Sequence, residues 1–337
     1  MFISAILFAV FALWCCARLG DRIGLIDVPD ERKQHQGSTP LTGGIAITAT
    51  LLFGTFVLGV EPFTYEMLVI AALVFVIGVY DDYTRLNPVI RLLIQYASGI
   101  LLATFGGITI VNVGNLLLLG DIPLLWLAVP LTALSVAGLC NAYNMIDGID
   151  GLAAATVIVP LSSLYLLALE AQHPMADSLL LLLIPIITFT CFNLGPNTAL
   201  IPKLFLGDGG SVTLGFLTTA ALVFFSQGDN ALIKPVTALW LVTLPLMDML
   251  ATMFRRYRQG KNMMAADRSH LHHMLMDMGL TPAKTLILLT VYSASCALVG
   301  LLLENLPESL SLLIYFLLFL AHGVFVVRLD RRNRNTL

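Results

Sequence analysis

The chain has 337 residues, of which 58% are hydrophobic and 12% charged, with a formal net charge of −3. Soluble globular domains carry about 25% charged residues, so that class is excluded, and nothing in the charge calls for a nucleic-acid partner. Apolar stretches of about 17–22 residues recur down the whole length, each long enough to cross a bilayer.

Eleven such runs are expected as transmembrane helices, at roughly 1–19, 43–60, 65–80, 88–106, 122–140, 152–169, 178–194, 212–226, 234–254, 284–303 and 309–327. The first begins without a basic leader region and is followed by Arg18 and Arg22. It reads as a retained helix rather than a cleaved signal. The five cysteines all sit in apolar runs without metal-ligand spacing and read as small core residues. With no internal repeat and no low-complexity linker, residues 1–337 read as a single integral-membrane domain.

The basic residues set the orientation. Counting alternate loops from the one after the first helix, together with the C-terminal tail, collects 17 of the 18 Lys and Arg residues and leaves only Lys234 on the other side. Basic loops stay in the cytoplasm. The expectation is an all-α polytopic membrane protein with its N-terminus outside, its C-terminus inside and its chemistry at the cytoplasmic face.

The inside loops carry the polar clusters. The first runs from Asp27 through Lys33-Gln-His-Gln-Gly37 to Thr42-Gly-Gly44, and suits either an anionic ligand at a helix start or a plain solvated loop. The second opens on Asp81-Asp82 directly after an apolar run. Adjacent carboxylates at a membrane boundary want a cation; the alternative is a solvated helix end. Arg85 stands where the third Asp of a terpene-synthase D-D-x-x-D would fall, so that chemistry is excluded.

The third inside loop, Asn141-Ala-Tyr-Asn-Met-Ile-Asp147-Gly-Ile-Asp150-Gly151, is wedged between two uncharged runs. Two carboxylates three residues apart, each followed by glycine, can converge while the backbone approaches a ligand. One Asp would suffice for a simple helix cap, and the spacing is not that of a calcium loop. The fourth loop holds Asn193-Leu-Gly-Pro196 and then Phe205-Leu-Gly207-Asp208-Gly-Gly-Ser211. That helix start offers backbone N–H groups to phosphate and a carboxylate to a metal, with Asp208 as an ordinary N-cap the rival.

The fifth and longest loop includes Asp267-Arg268-Ser-His270-Leu-His272-His273. No cysteine or H-E-x-x-H pattern accompanies these histidines, so a phosphate-bearing ligand suits them better than zinc. Arg255, Arg256 and Arg258 read as membrane-surface anchors, and the basic tail as a juxtamembrane stop. Asp248, about six residues inside the ninth run, is an intramembrane carboxylate that supports the site or an arginine.

Carboxylates and cations gathered at one face are what metal-assisted phosphoryl transfer requires. The joint set Asp81-Asp82, Asn141-x-x-Asn144-x-x-Asp147-Gly-x-Asp150-Gly-Leu152, Phe205-Leu-Gly-Asp208-x-Gly-Ser211 and His270-x-His272-His273 resembles the polyprenyl-phosphate N-acetylhexosamine-1-phosphate transferases, in order and over nearly the whole chain. Lys33-Gln-His-Gln-Gly37, Pro235-Val-Thr-Ala-Leu-Trp240, Pro245-Leu-Met-Asp-Met249 and Asp267-Arg-x-His-x-His-His273 point within it to the bacterial undecaprenyl-phosphate GlcNAc branch. Leu271 interrupts the three consecutive histidines usual in the peptidoglycan branch.

The resemblance implies transfer of GlcNAc 1-phosphate from UDP-GlcNAc to undecaprenyl phosphate, releasing UMP. It also implies a bacterial inner membrane, O-antigen or common-antigen type glycans, Mg²⁺ with Mn²⁺ as an alternative, and room for a homodimer. By motif, Asp208 would be the principal metal ligand, with Asp81 and Asp82 positioning metal and prenyl phosphate. Asn141, Asn144, Asp147 and Asp150 would hold the nucleotide, with Phe205 on uracil and Asn193 close by. Gly207, Arg268, His270, His272 and His273 would meet donor phosphates or sugar. The alternatives are a sister transferase using another UDP-N-acetylhexosamine, either a 6-deoxy sugar or the muramoyl peptide, and an ion-coupled transporter. Transporters hold their acids near the bilayer midplane rather than at helix ends.

Overall fold

The computed structural model describes residues 1–27, 38–263 and 270–336. It opens with α1 (Phe2–Ile23), ended by Gly24 in the left-handed region at φ 71°. A two-residue antiparallel pair follows, β1 (Ile26–Asp27) with β2 (Thr39–Pro40). Then come α2 (Gly43–Phe56), α3 (Tyr65–Thr84), α4 (Pro88–Thr104), α5 (Ala128–Ile146), α6 (Leu152–Glu170), α7 (Ala176–Asn193) and α8 (Gly207–Phe224). The chain continues through α9 (Pro235–Leu241), α10 (Thr243–Arg258), α11 (Leu271–Asp277), α12 (Pro282–Leu302) and α13 (Glu308–Thr336). Starts are written locally: Thr64, Asn87 and Thr281 each accept a backbone N–H of the first turn, and Pro88 and Pro282 occupy positions where no N–H is needed.

Among the described residues, seven helices are long and apolar enough to cross a membrane: α1, α3, α5 with its preceding turn, α6, α7, α12 and α13. The pair α9–α10 is long and apolar enough only when taken together, and it is bent by 78° at its break, as a broken span or a re-entrant loop would be. Pro245 explains the break, because its ring excludes the carbonyl of Leu241, the last residue of α9. At the same break the Thr243 hydroxyl donates to the Trp240 carbonyl at 2.8 Å. The chain is therefore an all-α polytopic membrane protein. The other three of the eleven expected runs are also helical, but α2 and α4 have 14 and 17 residues, and α8 opens on polar Gly-Asp-Gly-Gly-Ser. Three cysteines are core residues as expected; Cys191 is exposed.

The bundle is built round α8, whose residues from Gly209 to Val223 are all buried. Between helices in lipid the gain comes from close packing rather than from escape from water, and small residues permit it. A Cβ on Gly78 of α3 would lie 2.4 Å from the Gly209 Cα, and one on Gly44 of α2 would lie 2.5 Å from the Gly210 Cα. The start of α8 is thus clamped backbone to backbone between α2 and α3. Its flank packs against α5, where a Cβ on Gly215 would lie 2.7 Å from the Cys140 Cα. Gly78→Ala should therefore destabilise the fold by about 1–3 kcal/mol through overpacking. Gly138→Ala, which meets nothing within 4 Å, should be neutral. Thermal midpoints of the purified proteins check this, and equal midpoints for the two would refute the clamp.

Candidate active site

The polar residues of one bundle end converge on the start of α8. The preceding segment is tied by backbone bonds: Phe205 N–H donates to Pro40 O at 2.8 Å, and Gly43 and Gly44 N–H donate to Phe205 O and Leu206 O at 2.9 and 3.1 Å. Asn193, buried at the end of α7, donates from Nδ2 to Leu204 O at 2.9 Å. Its job here is to hold the segment. Gly207 then turns at φ 76°, where a Cβ would also lie 2.9 Å from Asp82 Oδ2.

Asp82 reaches over from the end of α3 and accepts the first N–H groups of α8, from Asp208 at 2.8 Å and Gly209 at 3.1 Å. A carboxylate on two free N–H groups at a helix start satisfies them and complements the helix dipole. Because Asp82 takes the capping task, the Asp208 side chain need not, and it turns outward at 43% exposure. Its Oδ1 accepts Asn144 Nδ2 at 2.9 Å, and the same amide lies 3.0 Å from Ser211 Oγ. Its Oδ2 lies 3.3 Å from Arg91 Nη1, which stands equally 3.3 Å from Asp81 Oδ2. Asp81 is only 5% exposed, and its Oδ1 accepts Leu86 N–H at 2.6 Å. Asn141 donates to Gln95 Oε1 at 2.5 Å.

Asp81 and Asp208 share one guanidinium, so the pair keeps a surplus of negative charge that favours a further cation. No group of three or more His, Cys, Asp or Glu arranged to hold a metal occurs among the described residues. The carboxylates that do meet here, Asp81 and Asp208, could serve an ion such as Mg²⁺, which takes one or two carboxylates and fills its other positions with water and substrate phosphate.

A second group adjoins the first. Asp150 Oδ2 lies 2.5 Å from Lys203 Nζ, and that ammonium stands 5.6 Å from the centre of the Phe205 ring. Asp147 is exposed on the turn after α5. The backbone of Gly148 lies directly under His272, whose Nε2 would be 2.1 Å from a Cβ placed there. His272 and His273 have ring centres 4.2 Å apart. His270 is buried against Asp248, Nδ1 to Oδ2 2.9 Å, so that nitrogen is already engaged.

The arrangement unites Asp81, Asp82, Asn144 and Asp208, sets Asp150 and Phe205 beside Lys203, and brings His272 to the turn between Asp147 and Asp150. Arg268 and the loop Lys33 to Gly37 lie outside the described residues. Arg91, Gln95 and Lys203 carry no assigned role in the sequence reading, whereas Ser211 stands in the Asp208-x-Gly-Ser211 motif. A signal existed for two of them: Arg91, Gln95 and Ser98 follow helical spacing in an otherwise apolar run, a polar stripe aimed at a neighbour. The surface-anchor reading fails for Arg255 and Arg256, which are buried: Arg255 Nη1 lies 3.7 Å from Asp330 Oδ1, and Arg256 Nη1 donates to Met263 O at 2.8 Å. The tail is thereby tied to the bundle through Asp330. Arg258 lies over Phe254, 6.0 Å from the ring centre.

Residues 64–226 match Glycosyl transferase family 4. The chain is 34% identical over 331 residues to the undecaprenyl-phosphate alpha-N-acetylglucosaminyl 1-phosphate transferase of Escherichia coli O157:H7, covering 97% of this chain and 90% of that protein. The like-named protein of Yersinia pestis is 33% identical over 333 residues, covering 97% and 91%. That of Pasteurella multocida is 34% identical over 326 residues, covering 94% and 90%.

The two acids on α8's start should separate in stability. Asp82→Asn replaces one acceptor with an N–H aimed at a backbone N–H, and leaving a buried donor unsatisfied costs about 1–3 kcal/mol. Asp208→Asn keeps Oδ1 and half its surface in solvent, so its thermal midpoint should stay near that of the wild type. A matching loss in both variants would remove the capping role assigned to Asp82.

Proposed function

The chain belongs to glycosyl transferase family 4, and from that premise we infer that it transfers N-acetylglucosamine 1-phosphate from UDP-GlcNAc to undecaprenyl phosphate. The products are undecaprenyl-diphosphate-GlcNAc and UMP. The observation that carries the chemistry is the convergence of Asp208, Asp81, Arg91 and Asn144 at the start of α8. A charged diphosphate donor needs cations to approach carboxylates, and preorganised dipoles to receive the charge that develops.

Mg²⁺ is proposed at this cluster, with Asp208 as its principal ligand and Asp81 within reach through the shared Arg91; Mn²⁺ is the alternative. When bound, such an ion neutralises the diphosphate and makes its phosphorus more open to attack. Asp82 already holds two backbone N–H groups, which turns its share in the metal into support of Asp208. The acceptor's phosphate oxygen is itself an oxyanion near pH 7 and needs no general base. It attacks the sugar-bearing phosphorus directly: one P–O bond forms, the diphosphate bond breaks, and UMP leaves with the electron pair. Arg91 is placed to balance phosphate charge, and Asn144 to hold the Asp208 carboxylate in line. The nucleotide is assigned to Asp147, Asp150, Lys203 and Phe205, and the donor's phosphates or sugar to His272 and His273.

The membrane arrangement proposed is eleven crossings, with the C-terminus and the site in the cytoplasm of a bacterial inner membrane, feeding O-antigen or common-antigen type glycans. In its favour, α8 and the shorter α2 and α4 run between two opposite sets of contacts. At one end lie the Asp208 and His272 groups. At the other, Gln227 Oε1 accepts Val111 N–H at 3.0 Å, and Lys234 N–H donates to Glu304 at 2.7 Å. Arg91 and Lys203 stand at the first end, and Lys234 at the second. The transporter reading finds no support there, because the acids line a helix start rather than a midplane path.

The purified protein, given undecaprenyl phosphate, Mg²⁺ and an equimolar mixture of UDP-GlcNAc, a 6-deoxy UDP-N-acetylhexosamine and UDP-MurNAc-pentapeptide, should yield UMP and one lipid, with the mass of a HexNAc diphosphate. Asp208→Asn should yield neither product, and Asp81→Asn should lose roughly 10²-fold or more in turnover. A lipid carrying the 6-deoxy sugar or the muramoyl peptide would move the chain to a sister branch. Near-normal turnover in Asp208→Asn would remove the metal assignment.

A further inference from the structure

The reaction as proposed uses no residue of α10, yet that helix carries a carboxylate only 2% exposed. Asp248 lies just past the 78° break between α9 and α10. A buried carboxylate is costly unless every lone pair that matters is engaged. Here both oxygens are: Oδ2 meets His270 Nδ1 at 2.9 Å, and Oδ1 accepts the Leu271 N–H, the first of α11, at 2.8 Å. A carboxylate can only accept, so His270 carries a proton on Nδ1.

Two bonds from one side chain to two successive residues fix the entry of α11 in both place and direction. The order continues along that entry. The rings of His270 and His272 lie nearly parallel, 8° apart, with centres separated by 5.9 Å. His272, 1% exposed, lies against the Gly148 backbone so closely that no Cβ fits between them. Asp248 thus controls, at one remove, how His272 meets the turn that carries Asp147 and Asp150.

We propose that Asp248 is a positioning residue for the sugar-nucleotide donor, clamping His270 and the start of α11 so that His272 is held on the Asp147–Gly148 turn. This rests on the reading of His272 and that turn as donor contacts. A mere fold staple would have a different signature: its loss would lower the fraction of active molecules and leave both Michaelis constants unchanged.

The test uses the full-length protein in lipid nanodiscs, with KM measured separately for UDP-GlcNAc and undecaprenyl phosphate. Asp248→Ala, which removes both bonds, should raise donor KM by about tenfold or more and leave the lipid KM unchanged. Asp248→Asn, which keeps an acceptor for Leu271 N–H, should give a smaller rise in the same constant. The double variant Asp248→Ala/His272→Ala should be no worse in donor KM than His272→Ala alone, since residues acting through one another are not additive. If His272→Ala raises donor KM while the Asp248 variants alter only the active fraction, the positioning role is overturned and the donor reading survives. If His272→Ala itself leaves donor KM unchanged, the donor reading falls, and the proposal with it. Should Asp248→Ala not accumulate as folded protein, Asp248→Asn and His270→Asn decide by the same KM comparison: a rise in donor KM alone supports the role, and none overturns it.

Discussion

The structure depends on the clamp at the start of α8. A helix whose N–H groups face inward at a membrane boundary has to satisfy them within the protein, since lipid offers no partner. The chain meets this with glycines and one borrowed carboxylate. Gly209 and Gly210 let α3 and α2 approach to backbone contact, and Asp82 then reaches the exposed N–H groups. Any side chain at those glycines would push the helices apart and carry Asp82 out of range.

From that clamp follows a division of labour among three neighbouring acids of identical chemistry. Asp82 is spent on the backbone. Asp81, almost fully buried, is anchored by Leu86 N–H and shares Arg91 with Asp208. Asp208 alone is both held and open, by Asn144 on one oxygen and by solvent and Arg91 on the other. Environment rather than residue type assigns each role, and the open carboxylate sits where a helix start favours anionic ligands. A donor diphosphate and a metal between them would meet both preferences at once.

Much of this was legible in the sequence, for identifiable reasons. Hydrophobic runs mark membrane helices because lipid punishes polar backbone and side chains alike, so every expected run contains a helix, although the run at 122–140 becomes α-helical only at Ala128 and that at 43–60 ends its helix at Phe56. Acids and histidines at the run ends stand out against that background, as Asp81, Asp82, Asp208 and His272 do. What could not be read was which neighbour each polar group meets. Arg91 counts in the sequence only as one of the basic residues that set the orientation, and only the packing of α4 against α3 and α5 sets it between two carboxylates. Arg255 and Arg256 looked like surface residues because sequence does not reveal that α13 and the loop after α10 cover them. His270 resembled its neighbours as a ligand contact, whereas the bend at Pro245 and the depth of Asp248 turn it inward. Span counting was least secure where helices are short or broken, as in α2, α4 and α9–α10, since buried helices need not be apolar all along.

Asp208, freed from capping by Asp82, is proposed to hold the divalent cation in company with the donor. Electron paramagnetic resonance of Mn²⁺ added to the purified protein with UDP-GlcNAc, and no acceptor lipid, tests it without turnover. The expected result is a protein-bound Mn²⁺ signal that requires the donor, disappears in Asp208→Asn and persists in Asp229→Asn, at the opposite end of the bundle. A bound signal of wild-type strength in Asp208→Asn would contradict it.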